Sequence, residues 1–485
     1  MRLDEYYKFG AYANRPDDCL WNPDSRESIN QHMLLCGGSG AGKTTLLKKI
    51  ARYLTFRNKH IFIFDLKGDM VIKDDDGNIL GNYIEFTAWD SKYGINPFEF
   101  DMGLPEDELK ILIEEKIELN KEQKFKVQNS GPRVQVERII EIIKKNFLPN
   151  MGANQKDVLM YLLLDTYSSK GFIYNDINTW LNEIPSLKDT LDLINRIKSF
   201  AYKNQKAQIH ENSVDFIINA QQKITDIQLM KKNINEEDTE ESKDIEKKID
   251  IKSKELKEDF DKYVEYGVEN FNPADSVSND DWFSIHNIDI DKYLAKAQMR
   301  TVEKLSSYIS ALVDAGVFHS SKPPVKNGLN VVNISGLDVS IQRFIVDVWL
   351  GKVFKSCKIR GTYSEREHKP RGEKCDTYAF IDESKLIAGN SRDKNDPFSY
   401  LNRIATEARG YGFGLVVAAQ SAEHFPPEFL KNFDAQVVLN TGIADFDSVR
   451  KSFGIDKKLL EFTQLGWGHA LVKTGKIFSK VKMEL

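Results

Sequence analysis

The sequence is poor in cysteine, has no long apolar run and carries no large excess of charge of either sign. Its four cysteines in 485 residues lie far apart, without the spacing of metal ligands. They indicate reduced thiols in a cytosolic protein, with one disulfide pair as the alternative. No stretch approaches the run of about eighteen apolar residues that a membrane-spanning helix needs, and the acidic start MRLDEYY is unlike a secretory signal. We therefore expect a cytoplasmic protein with no integral membrane segment.

The net charge of −5 argues against a protein that coats nucleic acid along its whole surface. A local basic pore stays possible, because binding depends on patches of charge. The chain is long enough for one large domain with an insertion, or for roughly two to three smaller domains. It contains no internal repeat of the solenoid kind. Bulk composition therefore leaves the function open.

The most informative segment is 37–44, which reads GGSGAGKT. It matches the pattern G-x-x-x-x-G-K-[ST], in which glycines form a tight loop whose backbone N–H groups point at phosphate oxygens. Lys43 is expected on the β- and γ-phosphates and Thr44 on Mg²⁺, and a short apolar run before the loop with helical spacing after it fits a strand, a loop and a helix. The alternative is a glycine-rich turn without a ligand. We predict that ATP and Mg²⁺ bind here, and the predicted binding residues are Gly37, Gly38, Ser39, Gly40, Ala41, Gly42, Lys43, Thr44 and Thr45.

Strand and helix patterns divide the chain into four parts. Residues 1–30 are predicted as a lead segment, and residues 31–104 as the first part of an α/β core with a mostly parallel sheet. Helical periodicity over about 105–325 predicts a large all-α insertion, and the core resumes over 326–485. Strands are predicted at 33–36, 60–65, 83–87, 329–334, 377–382, 414–419, 435–439 and 469–472.

Within the insertion, the stretch 231–262 is dense in Glu, Asp and Lys with sparse apolar positions. This spacing fits a long, mostly exposed helix or an antiparallel helical hairpin. Its acids match its bases, which disfavours a nucleic-acid role. The role of this stretch stays open.

Residues 378–383 read YAFIDE, an apolar strand that ends in two acids. Hydrolysis of a bound triphosphate needs such acids opposite the phosphate loop, Asp382 to hold Mg²⁺ through water and Glu383 to polarise the attacking water. The alternative is a surface turn with two solvated acids. Paired with the phosphate loop, this strand favours an ATPase over a nucleotide-binding regulator.

The next apolar strand ends at Gln420, which is the candidate for sensing the γ-phosphate by hydrogen bonding. Arg409 sits before that strand at the end of a predicted helix, where its guanidinium could reach the phosphate of a neighbouring subunit and stabilise developing charge. From spacing alone, a helix C-terminal cation with Gly410 as the cap is an equal alternative. Arg403 and Arg450 are weaker candidates for the same role.

Several segments together resemble the HerA/FtsK superfamily of ring-forming motor ATPases, closest to its HerA-like and type IV secretion branches. They are GGSGAGKT at 37–44, FDLKGD at 64–69, INPFEF at 95–100, FIDES at 380–384, EARGYGFGLVVAAQS at 407–421 and LGWGHALVK at 465–473. The likeness covers about 30–100 and 325–485, and a helical insertion between these lobes is typical of the family. The resemblance implies a RecA-like P-loop NTPase core.

The resemblance also implies a homohexameric ring in which ATP bound between subunits is hydrolysed in coordination, moving a polymer through the central pore. It implies roles for Lys43 and Thr44 in binding nucleotide and Mg²⁺, for Asp382 and Glu383 in coordination and activation, for Gln420 as a sensor and for Arg409 as a finger acting in trans. Two departures stand out. The residues before the phosphate loop strand are too few for the N-terminal β-barrel of full HerA-like proteins, and the membrane helices of anchored relatives are missing. In addition, Ala419 stands where a threonine often precedes the glutamine.

Three functions compete. The leading expectation is a cytosolic ATPase motor, a translocase or helicase acting on double-stranded DNA in DNA processing, transfer or phage defence. The second is a type IV secretion-like ATPase that energises export of protein or DNA, which the INPFEF segment and the missing barrel favour. The third is an ATP-gated scaffold for a separately encoded nuclease or other effector. The polymer, the ring size and the direction of movement stay open.

Overall fold

The computed structural model describes residues 5–26, 28–232, 240–265, 281–367, 369–383, 400–421, 425 and 427–484. The chain divides into two compact units, a larger one made of Met1–Leu191 with Glu303–Leu485, and a smaller one made of Asp192–Val302. The limits 105–325 for a helical insertion stay a prediction.

The strands are β1 (Tyr7–Tyr12), β2 (Asp18–Trp21), β3 (Met33–Cys36), β4 (His60–Asp65), β5 (Asn82–Glu85), β6 (Leu329–Asn333), β7 (Thr377–Ile381), β8 (Phe413–Ala419), β9 (Ala435–Val438), β10 (His469–Thr474) and β11 (Ser479–Met483). The helices are α1 (Lys43–Phe56), α2 (Glu106–Glu114), α3 (Lys121–Gln128), α4 (Pro132–Asn146), α5 (Ala153–Ser168), α6 (Leu187–Lys232), α7 (Glu240–Glu265), α8 (Asp281–Ile285), α9 (Asp291–Leu294), α10 (Lys296–Asp314), α11 (Val339–Ile359), α12 (Tyr400–Glu407), α13 (Pro427–Lys431), α14 (Phe446–Phe453) and α15 (Lys457–Leu460).

The described strands form one sheet in the order β2-β1-β11-β10-β9-β3-β8-β7-β4-β6-β5. Every pairing from β9 to β5 in this order is parallel. The predicted α/β fold with a mostly parallel sheet is therefore confirmed. Because parallel strands end at the same edge, the loops after β3, β7, β8 and β4 meet there, where ligands bind in open α/β sheets.

The other end of the sheet is antiparallel. Strand β10 pairs with β9 and β11, and β11 then pairs with β1, which pairs with β2. The apolar patterns of the sequence predict no strand before 33 or after 472. These strands are short and mix buried with exposed positions, so their apolar pattern is weak, and each exists because it has a partner far away in the chain.

Helices cover both faces of the parallel strands. Alternation along β4 turns Ile61 and Ile63 to the face where α1 packs with its buried side chains. It turns Phe62 and Phe64 to the other face, where their rings meet Trp349 of α11 edge to face. Burial on both faces explains the continuous apolar run of this strand.

The smaller unit contains most of α6 and all of α7. Lys252 of α7 contacts Asp226 of α6, and Glu255 of α7 contacts Lys223 of α6 at 3.7 Å. A later position in α7 thus pairs with an earlier position in α6, so the two helices are antiparallel. The described part of 231–262 is mostly the single helix α7, and these pairs show that α7 runs antiparallel to a part of α6 that precedes the predicted stretch. The connection at 233–239 lies outside the described residues. In the described part of the chain, no helix combines the length and the apolar character needed to cross a membrane.

Candidate active site

The phosphate loop joins the end of β3 to the start of α1. The Gly37 N–H donates to the Ala419 carbonyl of β8 (3.1 Å), and the Gly38 N–H donates to the Asn440 carbonyl after β9 (2.7 Å). Both neighbouring strands therefore fix the loop. Gly42 has a φ of +95°, a left-handed conformation that favours glycine, and α1 begins at the next residue. The helix N-terminus and the loop N–H groups thus lie at the carboxyl edge of the sheet, where an anion is stabilised.

Lys43 is a buried cation inside this loop. Its Nζ donates to the carbonyl oxygens of Gly37 (2.7 Å) and Gly38 (2.8 Å). Burial lowers the pKa of Lys43, and the nearby carboxylates of Glu383 and Asp382 oppose that shift. Two neutral carbonyls hold the ammonium here, whereas phosphate oxygens are charged acceptors that make stronger bonds. The position of Lys43 therefore fits a phosphate ligand.

Thr44 and Asp382 lie together, as the metal prediction requires. The Thr44 Oγ1 donates to Asp382 Oδ2 at 2.8 Å, and Asp382 is 3% exposed. Hydroxyl and carboxylate oxygens suit Mg²⁺, which in nucleotide sites keeps several waters and takes the remaining ligands from phosphates. The two residues fit this ion and would hold it, and bound Mg²⁺ would neutralise charge on the phosphates.

Glu383 is fixed by two side chains from neighbouring strands. Its Oε1 accepts a hydrogen bond from Gln420 Nε2 (2.7 Å), and its Oε2 accepts one from Lys67 Nζ (2.6 Å). Glu383 is buried and has a φ of +58°, which is uncommon for a residue other than glycine. Backbone strain of this kind persists where surrounding bonds impose it, often at functional sites. Ser384, the last residue of the FIDES segment, lies outside the described residues.

Lys67 is a residue of the candidate site that was not predicted from the sequence. The carboxylate of Asp65 accepts hydrogen bonds from the backbone N–H groups of 67–70, at 3.2, 2.7, 3.3 and 3.0 Å. This Asx-type turn after β4 sets the direction of Lys67 toward Glu383. The sequence did contain a signal for Lys67, because the FDLKGD and FIDES motifs both lie at the end of an apolar strand. The sequence did not say that those two strands are neighbours.

The structure does not bring Arg409 to this site. Arg409 lies in the 3₁₀ turn Ala408–Tyr411 before β8, whereas Gln420 follows the other end of that strand. Seven strand residues separate the two edges, which corresponds to roughly 20 Å. The Arg409 side chain is exposed and too far away to reach the phosphate loop of its own chain.

The two weaker candidates are engaged close to their own positions. Arg403 contacts Glu407 at 3.4 Å, and Arg450 contacts Asp447 at 3.3 Å. Both pairs join residues of one helix. Of the remaining predicted binding residues, Ser39, Gly40 and Thr45 are exposed at the loop and the first turn of α1, and Ala41 is half-buried in the loop.

Comparison with known proteins relates this arrangement to a family. Residues 24–258 match the family model described as "Helicase HerA, central domain". VirB4 of Thermoanaerobacter pseudethanolicus has a similar structure, with a TM-score of 0.57 and 13% identity over 99% of this chain and 96% of that chain. The bacterial conjugative coupling protein TrwBdeltaN70 matches with a TM-score of 0.46 and 13% identity over 100% and 90% of the two chains. Comparison with curated proteins found no match.

The family match includes the phosphate loop, Lys67 and the strands that carry them, and the likeness to VirB4 extends over nearly the whole chain. The resemblance drawn from the sequence motifs is thereby confirmed. Over residues 24–258 this chain is similar to the central domain of the helicase HerA, and its fold is similar to that of VirB4.

Proposed function

We propose that this protein is an ATP-hydrolysing ring motor, a cytoplasmic homohexamer that translocates double-stranded DNA in DNA processing, transfer or phage defence. The observation that carries the proposal is the division of the candidate site between two edges of the sheet. Lys43, Glu383 and Gln420 lie at the carboxyl edge, whereas Arg409 is exposed at the opposite edge. A second copy that presents Arg409 to the phosphate loop of the first would complete the site, and repetition of that contact closes a ring.

In this proposal the side chains of the site divide the work of binding and hydrolysis. The loop N–H groups and Lys43 bind the phosphates of ATP, and Glu383 takes up the proton of the attacking water. Gln420 fixes the orientation of Glu383 and responds to the γ-phosphate. Arg409 of the adjacent subunit stabilises the charge that develops on the transferred phosphoryl group. ATP hydrolysis therefore requires that subunits assemble, because each site needs Arg409 of a neighbouring subunit.

The test is steady-state ATP hydrolysis by the purified protein, with and without long double-stranded DNA. Glu383→Gln serves as the blank for contaminating ATPases, because it keeps the shape of the site but lacks the base. We expect DNA to increase the rate of ATP hydrolysis several-fold. Activity that is indifferent to DNA, or that needs an added protein, would overturn the DNA motor and favour the secretion ATPase or the effector scaffold.

The ring is tested separately by light scattering of Glu383→Gln with ATP. The expected mass is about six times the 55.6 kDa of one chain. A single-chain mass under these conditions would remove the trans role of Arg409 from the proposal.

A further inference from the structure

A cavity of about 260 Å³ opens beside the phosphate loop. Three segments line it: 38–41 of the phosphate loop, residues 439, 440 and 442 after β9, and 466–469, which end at the first residue of β10. Trp467 is the large aromatic residue of the lining, and 62% of it is exposed. Trp467 therefore presents an accessible aromatic surface beside the phosphate loop, which is the kind of surface on which a planar ligand can stack.

The loop that carries Trp467 is anchored on both sides. Gln464 Nε2 donates to the Thr441 carbonyl at 2.8 Å, which ties the loop to the turn after β9. The Met483 N–H donates to the Gly468 carbonyl at 2.7 Å, which ties it to the end of β11. Gly466 and Gly468 have φ values of +134° and +81°, so the backbone turns on either side of Trp467. Within the described residues, no aromatic or cation–π contact involves this ring.

The direction of a bound nucleotide follows from the strand order, if the proposed function holds. The groups that would face the γ-phosphate, Glu383 and Gln420, follow β7 and β8 on one side of β3. A triphosphate that crosses the loop with its γ end there must direct its nucleoside to the other side of β3. That side is occupied by the ends of β9 and β10, where the Trp467 cavity lies.

We propose that Trp467 is the base-binding residue of the nucleotide site, and that its indole ring stacks on the purine of a bound nucleoside triphosphate. The phosphate loop then binds the phosphates, and the 466–468 turn binds the base. Aromatic stacking accepts any base because every base has a π face, and a purine offers the larger area. The inference rests on the proposed function, since it requires the γ end to lie at Glu383.

The experiment compares ATP with inorganic tripolyphosphate, which keeps the phosphates and lacks the base. Both ligands are titrated by calorimetry, with Mg²⁺, into the wild-type protein and into Trp467→Ala and Trp467→Phe. We expect Trp467→Ala to weaken ATP about tenfold and to leave tripolyphosphate unchanged, in line with the cost of removing one stacked ring. Trp467→Phe should recover most of the affinity for ATP. Leu465→Ala is the matched control, because Leu465 is exposed on the same loop but does not line the cavity.

Three results would overturn the inference. Equal affinity of the wild type and Trp467→Ala for ATP would remove the stacking role while leaving the phosphate loop intact. An equal loss of both ligands, with a lower oligomeric mass or with the same effect in Leu465→Ala, would make Trp467 a structural or subunit contact. Failure of the wild type to bind either ligand would contradict the proposed function itself, and the inference would fall with it.

Discussion

Glu383 is held between two side chains that come from different parts of the chain, Lys67 after β4 and Gln420 after β8. A carboxylate with both oxygens bonded has one orientation, which is the requirement for a base that must meet a water molecule at a defined point. The side chain of Lys67 is 44% exposed, so it lies between the buried acid and solvent. We therefore treat Lys67 as a positioning residue.

Removal of the Lys67 amine should lower kcat more than it affects binding. We expect Lys67→Ala to reduce kcat about tenfold to a hundredfold with a small change in the Kd for ATP, because Glu383 loses one of its two orienting bonds. Lys67→Arg, which keeps the charge, should recover part of the activity. Stopped-flow binding and steady-state turnover separate the two constants. A rise in Kd without a fall in kcat would instead place Lys67 on the nucleotide.

His32 provides a pH-dependent contribution to stability. Its buried Nδ1 accepts a hydrogen bond from the Leu415 N–H at 3.0 Å, and burial, followed by the positive charge of Arg409, lowers the pKa of His32 to about 4. The unfolded chain, with a histidine pKa of about 6.5, binds a proton first as the pH falls. The stability from neutral His32 is therefore complete above pH 6.5 and is lost as the pH falls toward 4.

We expect the free energy of unfolding of the larger unit to decrease by about 3 kcal/mol from this residue between pH 7 and pH 4. Thermal unfolding across this range, compared with His32→Asn, measures the effect. Asparagine can still accept the Leu415 bond but does not titrate, so its pH profile should be flatter. Parallel profiles for the two proteins would contradict the assignment.

Strands β1 and β11 extend the sheet beyond the part that the motifs predicted. Gly10 of β1 lies opposite Met483 of β11 with a φ of +147°, and a Cβ at this position would collide with the Lys482 carbonyl. The close approach of the two backbones therefore depends on glycine. The exposed neighbour Ala11 faces no such restriction.

Gly10→Val should displace β1 from β11 and cost about 2–4 kcal/mol of stability. Hydrogen–deuterium exchange should show faster exchange in both strands, while β3, β7 and β8 stay protected. Ala11→Val is the control in the same strand and should leave exchange unchanged. Equal protection in the two variants would mean that the pairing tolerates a side chain at position 10.

Because Arg409 lies far from the phosphate loop of its own chain, our proposal requires two adjacent subunits to form each ATP-hydrolysing site. Arg409→Ala and Lys43→Ala should each be inactive as homo-oligomers, since every site lacks one component. When the two are mixed and reassembled, sites formed between an intact phosphate loop and an intact Arg409 should hydrolyse ATP. The measurement is turnover against mixing ratio, with Arg409→Lys as a test of guanidinium geometry. If no mixing ratio restored ATP hydrolysis, Arg409 would have a structural role within its own subunit instead.

The sequence alone determined the features that are local in the chain. The phosphate loop depends on eight consecutive residues, and Asp382, Glu383 and Gln420 each follow an apolar strand that can be recognised within a few positions. The parallel core followed from the same strands, because burial on both faces gives them continuous apolar runs. These features need no knowledge of which strands are neighbours.

The tertiary structure decided the features that depend on strand order. It places Lys67 against Glu383, 316 positions later in the chain, because β4 lies beside β7. It places Arg409 at the edge away from the phosphate loop because β8 runs parallel to β3. It places Trp467 next to that loop because β9 lies beside β3 and β10 beside β9. Strand order is set by packing between distant segments, and no pattern within a single segment encodes it.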